Sequence, residues 1–195
     1  MAINYPVNKK KSDNHYISRR GMLFETELNK SNEYYLIHNI ATIYKKPTPI
    51  QVVKVDYQKR SMAKITEAYY QTPSTTDYNG IYREKYIDYE AKQTDNLSFS
   101  FKHIFPHQIN HLVRIDKEGG IAFVIIYFKR INEVYILDIK IFYELYLLNL
   151  QDGKKSIKAS EIESLGGIKV HLGYAPMIDY LKAVDKLYFN ENKSI

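Results

Sequence analysis

Apolar positions along the chain follow two periodicities, and the switch between them marks the elements. Across residues 21–39, Phe24, Leu28, Tyr35 and Leu36 recur at spacings that gather on one helical face, with no proline in between. Residues 40–44 (IATIY) predict a strand, stopped by Lys45-Lys46-Pro47-Thr48-Pro49, and residues 50–57 (IQVVKVDY) form a second β-branched run. Residues 59–70 fit either a helix or a ribbon. Residues 75–92 (TTDYNGIYREKYIDYEAK) have β character with turn punctuation. A helix is expected from Pro106, a residue tolerated in a first turn, to about Lys117, closed by Gly119-Gly120. Residues 121–128 (IAFVIIYF) and 133–137 read as strands, 138–150 as a helix and 152–155 as a Gly/Lys-rich turn. A short strand follows Gly166-Gly167. Residues 176–189 predict a closing helix with Ile178, Leu181, Val184, Leu187 and Tyr188 on one side. Helix, strands, helix, strands, helix is the order of a mixed α/β domain with one sheet flanked by helices.

Composition narrows the class. The 195 residues suit one domain, and 45% hydrophobic with 26% charged is near the globular average, which excludes wholesale disorder and fibrous classes. No run reaches the ~18 to 20 apolar residues of a membrane span. The polar, basic N-terminus does not read as a secretory signal, and the absence of cysteine removes disulfide and thiolate chemistry. A cytoplasmic protein without a membrane partner is expected. Lys plus Arg number 28 against 22 acids, a net charge of +6, and Tyr supplies 19 aromatics against 8 Phe. Excess base with abundant Tyr suits a surface that contacts phosphates and stacks on bases; Tyr also simply fills strands. Much of the charge sits in residues 1–20, where Lys9, Lys10, Lys11, Arg19 and Arg20 face only Asp13. That block reads as a flexible basic arm, either solubilising or phosphate-seeking. The remaining organisation expected is one domain over 21–190 and a short tail over 191–195.

Candidate chemistry concentrates around Asp77 and Glu90-Ala91-Lys92. Side chains two apart on a strand share a face, so Glu90 and Lys92 point the same way. With a two-residue turn at Arg83-Glu84, Asp77 falls opposite Glu90 and Thr75 opposite Lys92, with cross-strand Cβ atoms ~4.5 to 5.5 Å apart. Asn79-Gly80 is a competing hairpin signal that would break this square. On a buried face two carboxylates repel and are costly to desolvate unless a cation intervenes. A divalent metal fits, since Mg²⁺ takes hard oxygen ligands and can polarise a phosphoryl oxygen and acidify a water. Lys92 would offset charge developing on the phosphate. On an exposed hairpin the same residues would be only a weak ion pair. His107 and His111, four apart, resemble a zinc pair but lack a third ligand.

Asp77 with Glu90-x-Lys92 is similar to the PD-(D/E)XK nuclease signature, and longer strings resemble one family, the RecU Holliday-junction resolvases. These strings are Arg20-Gly21-Met22 with Glu25, LNKSNEYY (28–35), KKPTPIQVVKVD (45–56), STTDYNG (74–80) and YIDYEAK (86–92). They continue with His107-Gln108-Ile109, residues 172–176 and Asp179-Tyr180, so the resemblance runs in order from about residue 19 to Phe189. It implies a restriction-endonuclease-like fold and a homodimeric, Mg²⁺-dependent endonuclease, with Mn²⁺ able to substitute, that resolves four-way junction DNA by paired symmetrical nicks. The setting it implies is the nucleoid of a bacterium, with recombinase and branch-migration proteins as further partners. Carried onto this chain, the metal site falls on Thr75, Asp77, Glu90 and Gln108, with Gln108 one turn into its helix and its amide oxygen toward the metal. The stabilising lysine falls on Lys92, and Glu25 resembles a helical glutamate beside the metal. A stalk over about residues 54–71 would reach into the junction. Lys59, Arg60 and Lys64 would meet phosphates there, Tyr69 and Tyr70 would serve bases or dimer packing, and Arg19 and Arg20 would add further DNA contacts. Thr26, Gln93 and Met177 depart from the family pattern at positions outside the four ligands. The rivals are a duplex-cutting nuclease of the same fold and a non-enzymatic junction-binding accessory protein.

Overall fold

A computed structural model describes residues 13–56, 63–71, 75–151 and 153–189, with side chains from Phe24 onward. Helix α1 (Asp13–Ile37) leads into strand β1 (Thr42–Lys45); strands β2 (Ile50–Asp56) and β3 (Lys64–Tyr70) pair as a ribbon, and β4 (Tyr78–Tyr82) and β5 (Lys85–Thr94) as a hairpin. Then come β6 (Ser98–Ser100), α2 (Pro106–Lys117), β7 (Ile121–Phe128), β8 (Glu133–Asp138), α3 (Ile139–Leu150), β9 (Ser156–Lys158), β10 (Ile168–Leu172), β11 (Ile178–Asp179) and α4 (Tyr180–Tyr188). The expected mixed sheet flanked by helices is the architecture observed. Its order is β1-β4-β5-β7-β8-β10-β11, with β5 and β7 parallel at the centre and the other pairs antiparallel.

The continuous apolar run of β7 has its cause in that central place, because a strand covered on both faces has no polar side to present. Ile121, Phe123 and Ile125 join one core with Phe24, Leu28 and Tyr35 of α1 and Leu181 and Val184 of α4. Ala122, Val124 and Ile126 join a second core with Ile109 and Leu112 of α2 and Ile139 and Phe142 of α3. The sheet therefore lies between two helical layers. Six of the tyrosines serve these interiors: Tyr35, Tyr78, Tyr82, Tyr89, Tyr135 and Tyr180 are buried, and the Tyr78 and Tyr89 rings stack 4.8 Å apart. A polar seam within the first core ties α1 to the C-terminal segment. Tyr180 donates its hydroxyl to Asn32 Oδ1 at 2.5 Å, Tyr35 to Asp179 Oδ1 at 3.1 Å, and the Ile178 amide to Ser31 Oγ at 3.0 Å.

Several boundaries differ from those expected. Helix α1 begins at Asp13, so the end of the expected arm, including Arg19 and Arg20, is helical backbone continuous with the domain; an acid at the N-terminal end and no proline suit this. Residues 1–12 and 190–195 lie outside the described residues. The ambiguous segment is a strand over Lys64–Tyr70, and the ribbon begins at Ile50 rather than near residue 54. Every residue of both strands is exposed, so register there comes from backbone pairing rather than from burial, and it slips on either side of the Lys54–Glu67 pair, at Val53 and at Thr66. The closing helix starts at Tyr180, because Ile178 pairs with Leu172 and is held by Ser31. The three-residue strands β6 and β9, which pair with each other, were not anticipated; each is too short to show alternation. Among the described residues no helix is long and apolar enough to cross a membrane.

Asn79-Gly80, the competing turn signal, lies inside β4, and the glycine is needed for another reason. A Cβ on Gly80 would sit 2.0 Å from the Thr42 carbonyl oxygen and 2.6 Å from Ile43 Cα, so β1 approaches there as only glycine permits. Gly80→Ala should force β1 away from β4 and lower stability by about 1–3 kcal/mol or more. Urea denaturation checks this, and an unchanged midpoint would contradict it.

Candidate active site

The site is built by the hairpin register. Tyr78 pairs with Tyr89 and Tyr82 with Lys85, so Arg83 and Glu84 form the two-residue turn, both at positive φ (46° and 63°). That backbone twist matches the flanking strands. It places Asp88, Glu90 and Lys92 on the face of β5 covered by α2, alternating with Ile87 and Tyr89, which enter the other core. The paired ladder ends at Tyr78, and Asp77 lies just beyond it. Its side chain continues the contact, because Oδ2 accepts the Ala91 amide at 3.2 Å. Asp77 thereby sits against Glu90 as the register predicts.

Glu90 is 0% exposed. Its Oε1 accepts Gln108 Nε2 at 2.6 Å and pairs with Lys92 Nζ at 2.5 Å. Its Oε2 is buried and has no hydrogen-bond partner. Burial first, and the Asp77 carboxylate second, push the Glu90 carboxyl up to about 7, against the pull of Lys92. A buried carboxylate with one oxygen doubly satisfied and the other bare, beside a second carboxylate, is a setting that a cation on the bare side would stabilise. Two neighbouring carboxylates, Asp77 and the buried Glu90, are the hard oxygen donors that a divalent ion takes, and the residues present fit one.

The other expected residues distribute as follows. Thr75 lines a cleft of about 200 Å³ with Lys45, Lys46, Thr76 and Asp77; it lies outside the β4–β5 ladder, so the expected Thr75–Lys92 cross-strand pair does not form. Gln108 is buried at the start of α2, but its amide oxygen accepts the Phe105 amide at 3.0 Å while its nitrogen meets Glu90. The helix N-terminus draws that oxygen, which was expected to face a metal. Glu25 is half-exposed and ion-paired with Lys45, which lines the cleft. His107 stacks on Phe105, and His111 turns to Asp88. On the ribbon, Lys64, Tyr69 and Tyr70 are exposed, Tyr70 by 85%. Lys59 and Arg60 lie outside the described residues, as do the side chains of Arg19 and Arg20.

Residues that the sequence reading missed surround Asp88, which is also 0% exposed. Thr76 Oγ1 donates to its Oδ1, while Lys46 Nζ (2.8 Å), the Tyr86 hydroxyl (2.9 Å) and His111 Nε2 (3.0 Å) converge on its Oδ2. The available signal was the i, i+2 spacing that puts Asp88 on the same face as Glu90; nothing local pointed to Lys46 or His111.

A cation at the bare oxygen requires Glu90 ionised, and its raised pKa means that below about pH 7 part of the population must first lose a proton. Cation binding should release protons at about pH 6 and few at about pH 8, with affinity falling as pH drops. Calorimetry of Mg²⁺ binding in buffers of different ionisation enthalpy measures this; equal release at both pH values would contradict it.

Comparison with known proteins identifies the family. A family model described as Recombination protein U matches residues 19–186. Proteins described as Holliday junction resolvase RecU from Bacillus cereus (strain B4264) and Bacillus thuringiensis (strain Al Hakam) are each 46% identical over 201 residues, covering 97% of this chain and 100% of theirs. Among solved structures, the Hjc Holliday junction resolvase of Archaeoglobus fulgidus overlaps 63% of this chain and 75% of its own, at 13% identity and a TM-score of 0.35. The motifs noted in the sequence, the full-length identity and the matched model together establish that this chain belongs to the RecU family.

Proposed function

We propose that this chain is a divalent-metal-dependent endonuclease that resolves four-way DNA junctions by paired nicks. The observation that carries the reading is the bare, buried Oε2 of Glu90 beside Asp77, with the Lys92 ammonium on the opposite oxygen. The naming of full-length relatives as Holliday junction resolvases supports the substrate.

In this reading Asp77 and Glu90 would hold Mg²⁺, or Mn²⁺ in its place, with Thr75, which lines the same cleft as Asp77, as a further oxygen donor. When bound, the ion would supply Lewis acidity to a phosphoryl oxygen and lower the pKa of a water. Gln108 keeps Glu90 oriented through its 2.6 Å hydrogen bond and can itself become a ligand only by turning its amide. Lys92, one fifth exposed and paired with Glu90 Oε1, would offset negative charge building on the phosphate. The water's oxygen bonds to phosphorus as it gives up a proton, the bond from phosphorus to the 3′ oxygen breaks, and that oxygen takes up a proton from solvent, leaving a 5′-phosphate and a 3′-hydroxyl. Glu25 acts indirectly, by holding Lys45 at the cleft.

The exposed ribbon reads the junction. Lys54 and Lys64 offer phosphate contacts, Tyr69 and Tyr70 offer stacking faces, and Lys59 and Arg60 would add further phosphate contacts. Arg19 and Arg20 add charge on the first helix. Two opposed strands must be cut and each chain carries one such site, so the active form is a homodimer. Recombinase and branch-migration proteins, and a place at the nucleoid, complete the proposal.

Asp77→Asn and Glu90→Gln should each slow cleavage of a mobile four-way junction by about 10²–10³-fold or more while leaving junction binding near wild type, and Lys92→Ala should slow single-turnover cleavage by about 10²-fold. Wild-type rates in Mg²⁺ would sink the assignment. Equal cleavage of linear duplex of the same sequence would favour a duplex nuclease, and nicking that survives a chelator, or is absent with metal, would remove the metal-dependent enzyme. Lys64→Ala should weaken junction binding and lower the slope of log K against log salt by about one. Sedimentation showing only a 23.0 kDa species at micromolar concentration would contradict the dimer.

A further inference from the structure

The two acids at the centre of β5 are both buried, yet they are used in opposite ways. Glu90 keeps one oxygen bare. Asp88 has none to spare: Oδ1 is taken by Thr76 and Oδ2 by Lys46, Tyr86 and His111. Four donors on one carboxylate exclude it as an open ligand and mark it as an anchor. Its partners explain what it anchors. Lys46 begins the segment that runs into β2, and Thr76 ends the segment that returns from β3. Lys46 Nζ also donates to Thr76 Oγ1 at 2.9 Å, and the Lys46 amide donates to the Asp77 carbonyl at 2.8 Å. Both legs of the ribbon are thus drawn onto one buried carboxylate, at the residue immediately before Asp77.

From this convergence we infer that Asp88 is a positioning residue for the metal site, acting through Thr76 and Lys46 to fix Asp77 opposite Glu90. The inference rests on the metal-site reading above. Asp77 needs such help because the β4 ladder stops at Tyr78. Beyond that point its own restraints are the Ala91 amide on its side chain and the Lys46 amide on its carbonyl. Without the anchor, the segment 75–77 has no regular pairing to hold its carboxylate within reach of the Glu90 oxygen. Asp88 lies two residues before Glu90 on the same rigid strand, so a contact to Asp88 transfers the position of β5 directly to the Asp77 segment.

Thr76→Val removes the hydroxyl and keeps the shape. It should weaken Mg²⁺ binding, measured by calorimetry, by about 10–100-fold, the range seen when a group that orients a metal ligand is lost. It should raise the Mg²⁺ concentration for half-maximal junction cleavage by the same factor, while the rate at saturating Mg²⁺ changes much less. Thr76→Ser, which restores the hydroxyl, should return both to near wild type. Val184→Ala, a cavity in the opposite core, should lower the urea midpoint without moving Mg²⁺ affinity. Should Thr76→Val not fold, Asp88→Asn carries the same expectation, because it keeps an acceptor for Thr76 but loses the charge that holds Lys46. Wild-type Mg²⁺ affinity in a folded Thr76→Val or Asp88→Asn protein, or a loss in Val184→Ala equal to theirs, would overturn the inference. Asp77→Asn separates the two levels. If it too binds Mg²⁺ as the wild type does, the metal-site reading itself has failed; if it alone loses binding, only the anchoring role has.

Discussion

Two carboxylates buried side by side on a central strand can persist only if each is given something to hold. The chain meets that constraint differently at the two positions, and the architecture around β5 follows from it. Asp88 is satisfied internally by four donors from four segments of the chain. Glu90 is satisfied on one oxygen only, by Gln108 from α2 and Lys92 from its own strand. The helix that covers this face therefore contributes polar groups at its N-terminal half, Gln108 and His111, while Ile109 and Leu112 pack into the core beside them. The same helix both closes the interior and dresses the site.

The opposite face of β5 has a different task. Tyr89 lies between the two acids in sequence, yet its ring is stacked between Tyr78 and Phe123, and its hydroxyl donates to Tyr180. Stacking and a closed hydrogen-bond seam make that layer stiff, and stiffness there is what allows a two-residue alternation to hold functional groups to position on the other side. The tight turn at Arg83-Glu84 is held from outside as well, because Arg83 pairs with Asp185 and lies over the Tyr82 and Phe189 rings. The C-terminal helix thus braces the hairpin whose register defines the site.

The ribbon of β2 and β3 departs from the rest of the molecule. Apolar residues such as Val52, Val53, Ile65 and Tyr70 are exposed along it, which a free monomer gains nothing by displaying. Lys46, shortly before β2, and Thr76, shortly before β4, both meet Asp88.

Periodicity along the chain determined most of the element types and the boundaries of α2 and β7, and a turn supposed at Arg83-Glu84, in competition with Asn79-Gly80, implied the pairing that sets Asp77 against Glu90. These were legible because they depend on neighbours a few residues apart: a two-residue repeat, a proline at a first turn, a pairing sum fixed by one tight turn. The resemblance of ordered strings to one family added the reaction and the substrate. Tertiary structure alone decided the rest. Gly80 reads as a turn residue until β1 is seen crossing it, and residues 59–70 stay ambiguous until a partner strand is known. Asp88 looks like any acid near a hairpin until Lys46, Thr76, Tyr86 and His111 are found around it. The reason is the same in each case: burial and hydrogen bonding between residues tens of positions apart are set by how the chain closes in space, and no local pattern encodes that closure.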